Sequence, residues 1–299
     1  MILQWTTACT SAIPAGLALL TLLVGCAHPP AIDRPAPVGL SPRGLVEVAS
    51  PPPPALAEAS APRSAPSPTP LSAEAAIIDL PVVGHRPAVV SVPLGATSPR
   101  PLLIIAHGAG GRPEPHCAFW RTMLGARGFL LCPRGVLLGA YAAPADQGFF
   151  YPDHHALERE VNAAIAALRA RFGDHLDDRA PIYVGFSQGA TMGALAFVKR
   201  PAAFARLVLI EGGVGESDEW TIEGARAFRE SGAERVLFAC GRPSCFLAAQ
   251  RSLTYLGKAG LVGRVIHAAG AGHTYGGAVA DAVSRALPWV LEGDPRWDG

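Results

Sequence analysis

Three short stretches carry residue types that can do covalent chemistry together. The first is Gly185-Phe186-Ser187-Gln188-Gly189. A serine in the pattern G-x-S-x-G acts as a nucleophile when it sits in a sharp turn between a strand and a helix. Small flanking residues let the turn close and thrust the hydroxyl out above the sheet, at the positive end of the following helix. The second stretch is His107-Gly108-Ala109-Gly110-Gly111. With no Cβ atoms crowding the approach, backbone N–H groups of such a loop can face a developing oxyanion. The amides of Ala109 and Gln188 are the expected donors, and His107 reads as a loop-shaping residue. The third is Ala271-Gly272-His273-Thr274-Tyr275-Gly276. Among nine histidines, His273 stands out by its Gly-rich loop and by order, nucleophile first and histidine last. It is the candidate general base. His267 lies inside the preceding strand and reads as structural. His154 and His155 begin a helix, where they line an entrance or sit on the surface.

These loops have to be carried on strand ends for their chemistry to converge. From about residue 76 the chain alternates short apolar runs, bounded by Gly and Pro, with amphipathic segments. Strands are predicted at Ala88–Val92, Leu102–Ala106, Phe129–Cys132, Ile182–Phe186, Arg206–Ile210, Val236–Ala239 and Arg264–His267. Most are continuous apolar runs, as expected when both faces of a sheet are covered. Helices are predicted at Pro115–Arg127, His154–Phe172, Gln188–Lys199, Glu219–Ser231, Phe246–Ala259 and Gly276–Leu291. The clearest is His154–Phe172, where Leu157, Val161, Ile165 and Leu168 recur at three- and four-residue spacing. Asp153 is placed to cap it and Gly173 lies just beyond. Repeated β–α units imply an α/β class domain: a mostly parallel central sheet with helices on both faces. Active sites in such sheets lie at the carboxyl ends of the strands.

Together the Gly-Phe-Ser-Gln-Gly-Ala elbow, the His-Gly-Ala-Gly-Gly loop and the late histidine resemble the α/β-hydrolase fold, over roughly residues 77–291. They are most similar to the small esterases of the carboxylesterase, dienelactone-hydrolase and polyhydroxybutyrate-depolymerase-like groups. That resemblance implies a Ser–His–acid triad and no cofactor. The chain departs from the pattern at the acid. Most members carry it after the strand that here ends at Ala239, but the loop reads Cys240-Gly241-Arg242-Pro243-Ser244-Cys245, and no Asp or Glu occurs from Arg235 to Ala280. If the order Ser–acid–His holds, the candidates are Glu211, Glu216, Asp218, Glu219, Glu223, Glu230 and Glu234. Only Glu211 directly follows a strand, and some hydrolases of this fold place the acid at that neighbouring strand end. The acid must accept the Nδ1–H of the histidine and hold its tautomer, and the extra methylene of Glu gives reach from an adjacent strand. Glu211 is preferred, Asp218 or Glu219 next; a dyad without an acid, or a triad with Asp281, remain as alternatives.

Six cysteines are present. Cys9 and Cys26 belong to the N-terminal segment; Cys117, Cys132, Cys240 and Cys245 allow three pairings. Export permits disulfides, and nearness in sequence favours Cys117–Cys132 and Cys240–Cys245. No metal site is expected, since no two-residue cysteine spacing occurs.

Residues 1–25 contain no charged side chain, and Ile13–Val24 is an apolar run of signal-peptide length. It ends Leu23-Val24-Gly25-Cys26, which resembles a bacterial lipobox with Cys26 as the lipidated residue. Residues 27–75 contain 13 prolines in 49 positions, a composition that cannot offset the entropy of ordering. The expected organisation is a lipoprotein signal peptide at 1–25, a Pro/Ala-rich disordered linker at 26–75, and an α/β-hydrolase catalytic domain at 76–299. The expected location is the cell envelope, with a lipid anchor in the membrane; the lipobox resemblance implies that Ala27 after the cysteine favours the outer membrane where the cell has one. The 25 basic and 24 acidic residues leave a net charge of +1, without the basic excess that nucleic-acid binding needs. The expected reaction is hydrolysis of a small to medium ester through an acyl-enzyme at Ser187, with Phe149, Phe150 and Tyr151 forming an apolar wall of the pocket. Two other readings stand beside it: a peptidase or amidase on the same triad, and an envelope-binding lipoprotein on a decayed hydrolase fold.

Overall fold

A computed structural model describes residues 69–139, 147–199 and 204–298. The expected leader, with Cys9, the lipidation candidate Cys26 and the linker up to residue 68 lie outside the described residues. Residues at the end of the expected linker already pack on the body: Leu71 is buried and exchanges backbone hydrogen bonds with the Gly95–Ala96 turn.

The centre is an eight-stranded sheet in the order β1 (Ile77–Leu80), β2 (Ala88–Ser91), β4 (Phe129–Cys132), β3 (Arg100–Ala106), β7 (Leu176–Phe186), β8 (Arg206–Ile210), β9 (Arg235–Cys240) and β10 (Val262–His267). From β4 to β10 every neighbouring pair is parallel, whereas β2 runs antiparallel to both β1 and β4. A separate ribbon pairs β5 (Val136–Leu138) with β6 (Gly148–Phe150).

Continuous apolar strands arise because each face of the sheet has its own core. Along β3, Leu102, Ile104 and Ala106 enter one core and Leu103 and Ile105 the other. The first core is covered by α2 (His154–Phe172), α3 (Gln188–Phe197), α4 (Ile222–Glu230) and α5 (Pro243–Ala259). The second is covered by α1 (Pro113–Leu124) and α6 (Gly277–Leu291). In α2 the predicted stripe faces the core: Leu157, Val161 and Leu168 are fully buried together with Ala164, while Ile165 is half-buried against the same core, and Asp153 accepts the Ala156 N–H at 2.7 Å as the cap. Among the described residues no helix is long and apolar enough to cross a membrane.

Two helix starts lie away from their expected positions and three strands went unpredicted, each for a local reason. Helix α4 begins after Thr221, whose hydroxyl accepts the Gly224 N–H at 3.0 Å, rather than at Glu219. Helix α5 starts at Pro243, inside the expected loop, because proline is preorganised for the first helical position. Strands β1, β5 and β6 have three or four residues each, too short for a periodic signal.

Candidate active site

Four strand ends meet at one rim. Residue Ser187 lies between β7 and α3 at φ 51°, ψ −116°, a strained elbow held by close packing on both sides. A Cβ on Gly185 would lie 2.5 Å from Ala190 Cα, and one on Gly189 would lie 2.5 Å from the Ala106 carbonyl oxygen. Real Cβ atoms do not approach so closely, so only glycine lets the elbow nest between β3 and α3. The Ser187 amide donates to the Ile210 carbonyl at 2.8 Å, tying the elbow to β8.

His273 enters from the loop after β10. Its Nε2 lies 2.8 Å from Ser187 Oγ and its Nδ1 lies 3.0 Å from Glu211 Oε2. A carboxylate only accepts, so Nδ1 carries the proton and Nε2 is free to take the serine hydroxyl proton. Glu211 directly follows β8 at φ 55°, with its side chain wholly buried. Oε1 accepts the amides of Gly241 and Arg242, and Oε2 accepts Arg242 Nε as well as His273. Burial by itself would raise the pKa of this carboxyl. The Gly241 amide, the Arg242 guanidinium and amide and His273 outweigh it, and hold the pKa below the usual carboxylate value. The other acid candidates stand elsewhere: Glu219 is buried and its Oε2 accepts the Ser217 amide, and Asp281 is exposed on α6.

The loop after β3 is braced from behind. Gly110 N donates to Phe149 O at 2.8 Å, Phe149 N to Gly111 O at 2.8 Å, and Gly111 N to Gly108 O at 2.9 Å. No acceptor for the Ala109 or Gln188 amide occurs among the described residues. His107 is fully buried; its ring lies 2.8 Å from the Gly108 and Arg134 carbonyls and stacks on Tyr151 with centroids 4.9 Å apart. Burial pushes its pKa down. Both of its ring nitrogens are taken by backbone carbonyls, which ties the loop after β3 to the segment after β4. The Gln188 side chain clasps the Tyr151 backbone, accepting its N–H at 3.0 Å and donating to its carbonyl at 3.1 Å.

The expected pocket wall is in a different place. Tyr151 is a core residue whose hydroxyl donates to Pro133 O. Phe149 is buried beneath the Arg86 and Arg134 guanidiniums. Phe150 sits in the β5–β6 ribbon, its carbonyl packed on Gly135. Phe149 and Tyr151 brace the β3 loop from behind, Phe150 is half-buried in the ribbon, and none of the three lines the cleft beside that loop. The cleft beside that loop has a volume of about 220 Å³ and is walled by Pro115, His116, Phe186 and Tyr275. His116 stacks on Tyr275 with centroids 3.9 Å apart, and Phe186 meets Tyr275 edge-on and lies 5.2 Å from His273. Burial holds His116 neutral, with its pKa lowered to about 3. Phe186 and Tyr275 stood beside the two motif residues and were legible as neighbours; nothing in the sequence pointed to His116 on a helix or to Arg242.

The His154 and His155 rings meet at a tilt at the start of α2, with centroids 4.0 Å apart, and His267 stacks on Phe246 at 4.4 Å; among the described residues neither set makes a hydrogen bond or ring contact with the triad. Disulfides join Cys117 to Cys132 and Cys240 to Cys245, with Cα separations of 6.0 and 5.6 Å.

No protein-family model matches the chain, and no curated protein matches it. Solved structures do. The protein TT1662 from Thermus thermophilus superposes with a TM-score of 0.50 at 18% identity, over 73% of this chain and 98% of that one. A Klebsiella pneumoniae protein bearing the provisional name dienelactone hydrolase superposes with a TM-score of 0.50 at 16% identity, over 72% and 97%. The architecture of the chain is the α/β-hydrolase fold.

Proposed function

We propose that this α/β-hydrolase-fold protein is a serine hydrolase that cleaves small carboxylic esters. The observation that carries the reading is the unbroken relay Ser187 Oγ–His273 Nε2 at 2.8 Å and His273 Nδ1–Glu211 Oε2 at 3.0 Å. Ser187 Oγ attacks the acyl carbon while Nε2 takes its proton. The carbonyl oxygen becomes an oxyanion facing the amides of Ala109 and Gln188. These donors need no reorganisation, because the β3 loop is braced by Phe149 and the elbow by Ile210. The imidazolium then protonates the leaving alkoxide, leaving an acyl-enzyme. Water enters, gives a proton to Nε2 and releases the acid, restoring Ser187. Glu211 keeps Nδ1 protonated throughout and lowers the energy of the imidazolium. The cleft of about 220 Å³ is smaller than the roughly 300–1,000 Å³ of sites for drug-sized ligands, which favours short acyl or alkoxyl groups. The name of the Klebsiella pneumoniae neighbour, a hydrolase, agrees with this reading.

A fluorophosphonate probe tests it, since only an activated serine displaces fluoride. The expected result is stoichiometric labelling at Ser187, with turnover of p-nitrophenyl acetate blocked in proportion. Absence of labelling in the folded protein would favour a non-catalytic envelope-binding role. Faster turnover of matched anilides than of esters would favour an amidase or peptidase.

The address of the enzyme belongs to the same proposal. Cys26, following an apolar run and followed by a Pro-rich stretch, is proposed to carry a lipid that anchors the domain at the cell envelope. Metabolic labelling with a palmitate analogue is expected to mark the wild-type chain and to be lost in Cys26→Ser; equal labelling of both rules the anchor out.

A further inference from the structure

The carboxyl of Glu211 is received by one short loop. Gly241 N–H, Arg242 N–H and Arg242 Nε–H all donate to it, and Arg242 Nη2 lies 3.5 Å from the Glu211 carbonyl oxygen. Among the described residues His273 alone reaches the carboxylate from elsewhere. The loop is tied at both ends, by β9 ending at Cys240 and by α5 beginning at Pro243. It is closed on itself by the Cys240–Cys245 bond, whose sulfurs lie within 4.8 Å of the carboxylate. Both cysteines are 1% exposed, so the bond is a permanent brace sheltered from exchange with solvent thiols. Glu211 itself has φ 55°, a conformation that a non-glycine residue keeps only when its surroundings hold it.

We propose that the disulfide-closed loop 240–245 is a socket for the triad acid, and that Arg242 is a positioning residue within it, holding Glu211 in place and weakening its pull on the His273 proton. This rests on the triad reading above. Glu211 Oε2 is shared between Arg242 Nε and His273 Nδ1. The guanidinium offsets part of the carboxylate charge that faces the imidazole. Among the described residues the imidazole also meets the Ser187 hydroxyl on the elbow and the Phe186 ring beside it; Tyr275, on the same loop as His273, meets Phe186 edge-on. His116 of α1 stacks on Tyr275. The phenol and the buried imidazole are both neutral near pH 7, since burial raises the one and lowers the other. The charge balance at His273 is therefore set by Glu211 and Arg242.

The test is the pH profile of kcat/KM for p-nitrophenyl acetate in Arg242→Gln, Arg242→Lys and Cys240→Ala/Cys245→Ala, each checked by thermal unfolding. In Arg242→Gln, kcat is expected to fall roughly 10–100-fold, the scale known for residues that orient metal ligands from behind, with KM unchanged. Its acid limb moves up by about 0.5–1 pH unit, the scale of one partly screened charge a few ångströms away. Lysine keeps the charge but not the paired contacts, so it loses part of kcat while its acid limb stays in place. The double cysteine variant also loses kcat with no movement of the limb. Should Gln impair folding, Arg242→Met keeps the aliphatic stem and reads the same charge effect. Wild-type kcat in Arg242→Gln, or equal limbs for Gln and Lys, overturns the proposal. Glu211→Gln measured alongside separates the failures. If it is impaired and Arg242→Gln is not, only the socket falls; if it is fully active while Ser187→Ala is dead, the triad acid and the socket fall together.

Discussion

Ser187→Ala is expected to lower kcat for short-chain p-nitrophenyl esters on the order of 10⁶-fold, the scale seen when a triad serine is removed from another hydrolase. The loss is this large because no other nucleophile stands at the elbow, and His273 then has no proton to take. A residual rate of about 10³–10⁴ over water would reflect donors that still bind the oxyanion. The fold should not suffer. The serine is only partly buried, and its side chain is hydrogen-bonded to His273, not to the core. Alanine keeps the Cβ, so the cost of holding φ 51° is the same in both proteins. The thermal midpoint is therefore expected to stay within a few degrees, consistent with a surface change of under about 1 kcal/mol. Steady-state kinetics and a melting curve on the same preparation check both halves. Activity within tenfold of wild type would mean that the hydrolytic nucleophile is elsewhere.

Glu211→Gln should cost about 10⁴-fold in kcat, through the tautomer rather than through binding. The amide has the same shape, and its oxygen is expected to stay with the Gly241 and Arg242 amides, which require an acceptor. The NH₂ group then falls where Oε2 was, against His273 Nδ1. A donor at that point favours the tautomer with Nδ1 bare and Nε2 protonated, which cannot accept the Ser187 proton. Arg242 loses its carboxylate as well, but its side chain is 40% exposed and water can replace part of that contact. The KM should therefore change little while kcat collapses. Asp218→Asn and Asp281→Asn serve as comparisons: if either loses more than Glu211→Gln, the acid has been assigned to the wrong residue.

Some parts of this molecule were legible because their signals are local. The stripe of α2 follows from 3.6-residue spacing, and the apolar runs of β3 and β8 follow from burial on both faces. The Ser187 turn is marked by glycines that a Cβ would push into Ala190 and Ala106. The departure at the acid was also visible, as an absence of carboxylates over a long stretch. Other parts were not legible. Phe149 and Tyr151 are aromatic residues ahead of a helix, and sequence alone does not say whether such rings face a ligand or a core. In the fold β6 pairs with β5 and is bridged to Gly111, and that turns Phe149 inward under two arginines. Arg242 was seen only as part of a loop that lacked its acid.

By itself the sequence determined which residues stand at strand ends, because spacing along the chain encodes turns, caps and the two-sided burial of a parallel sheet. Only the tertiary structure decided which of those ends face one another. Residues Ser187, Glu211, Arg242 and His273 come from four different loops, and their separations depend on strand order and register. The cleft wall of His116, Phe186 and Tyr275 is made in the same way, by rings that are remote in the chain and adjacent only after the helices close over the sheet.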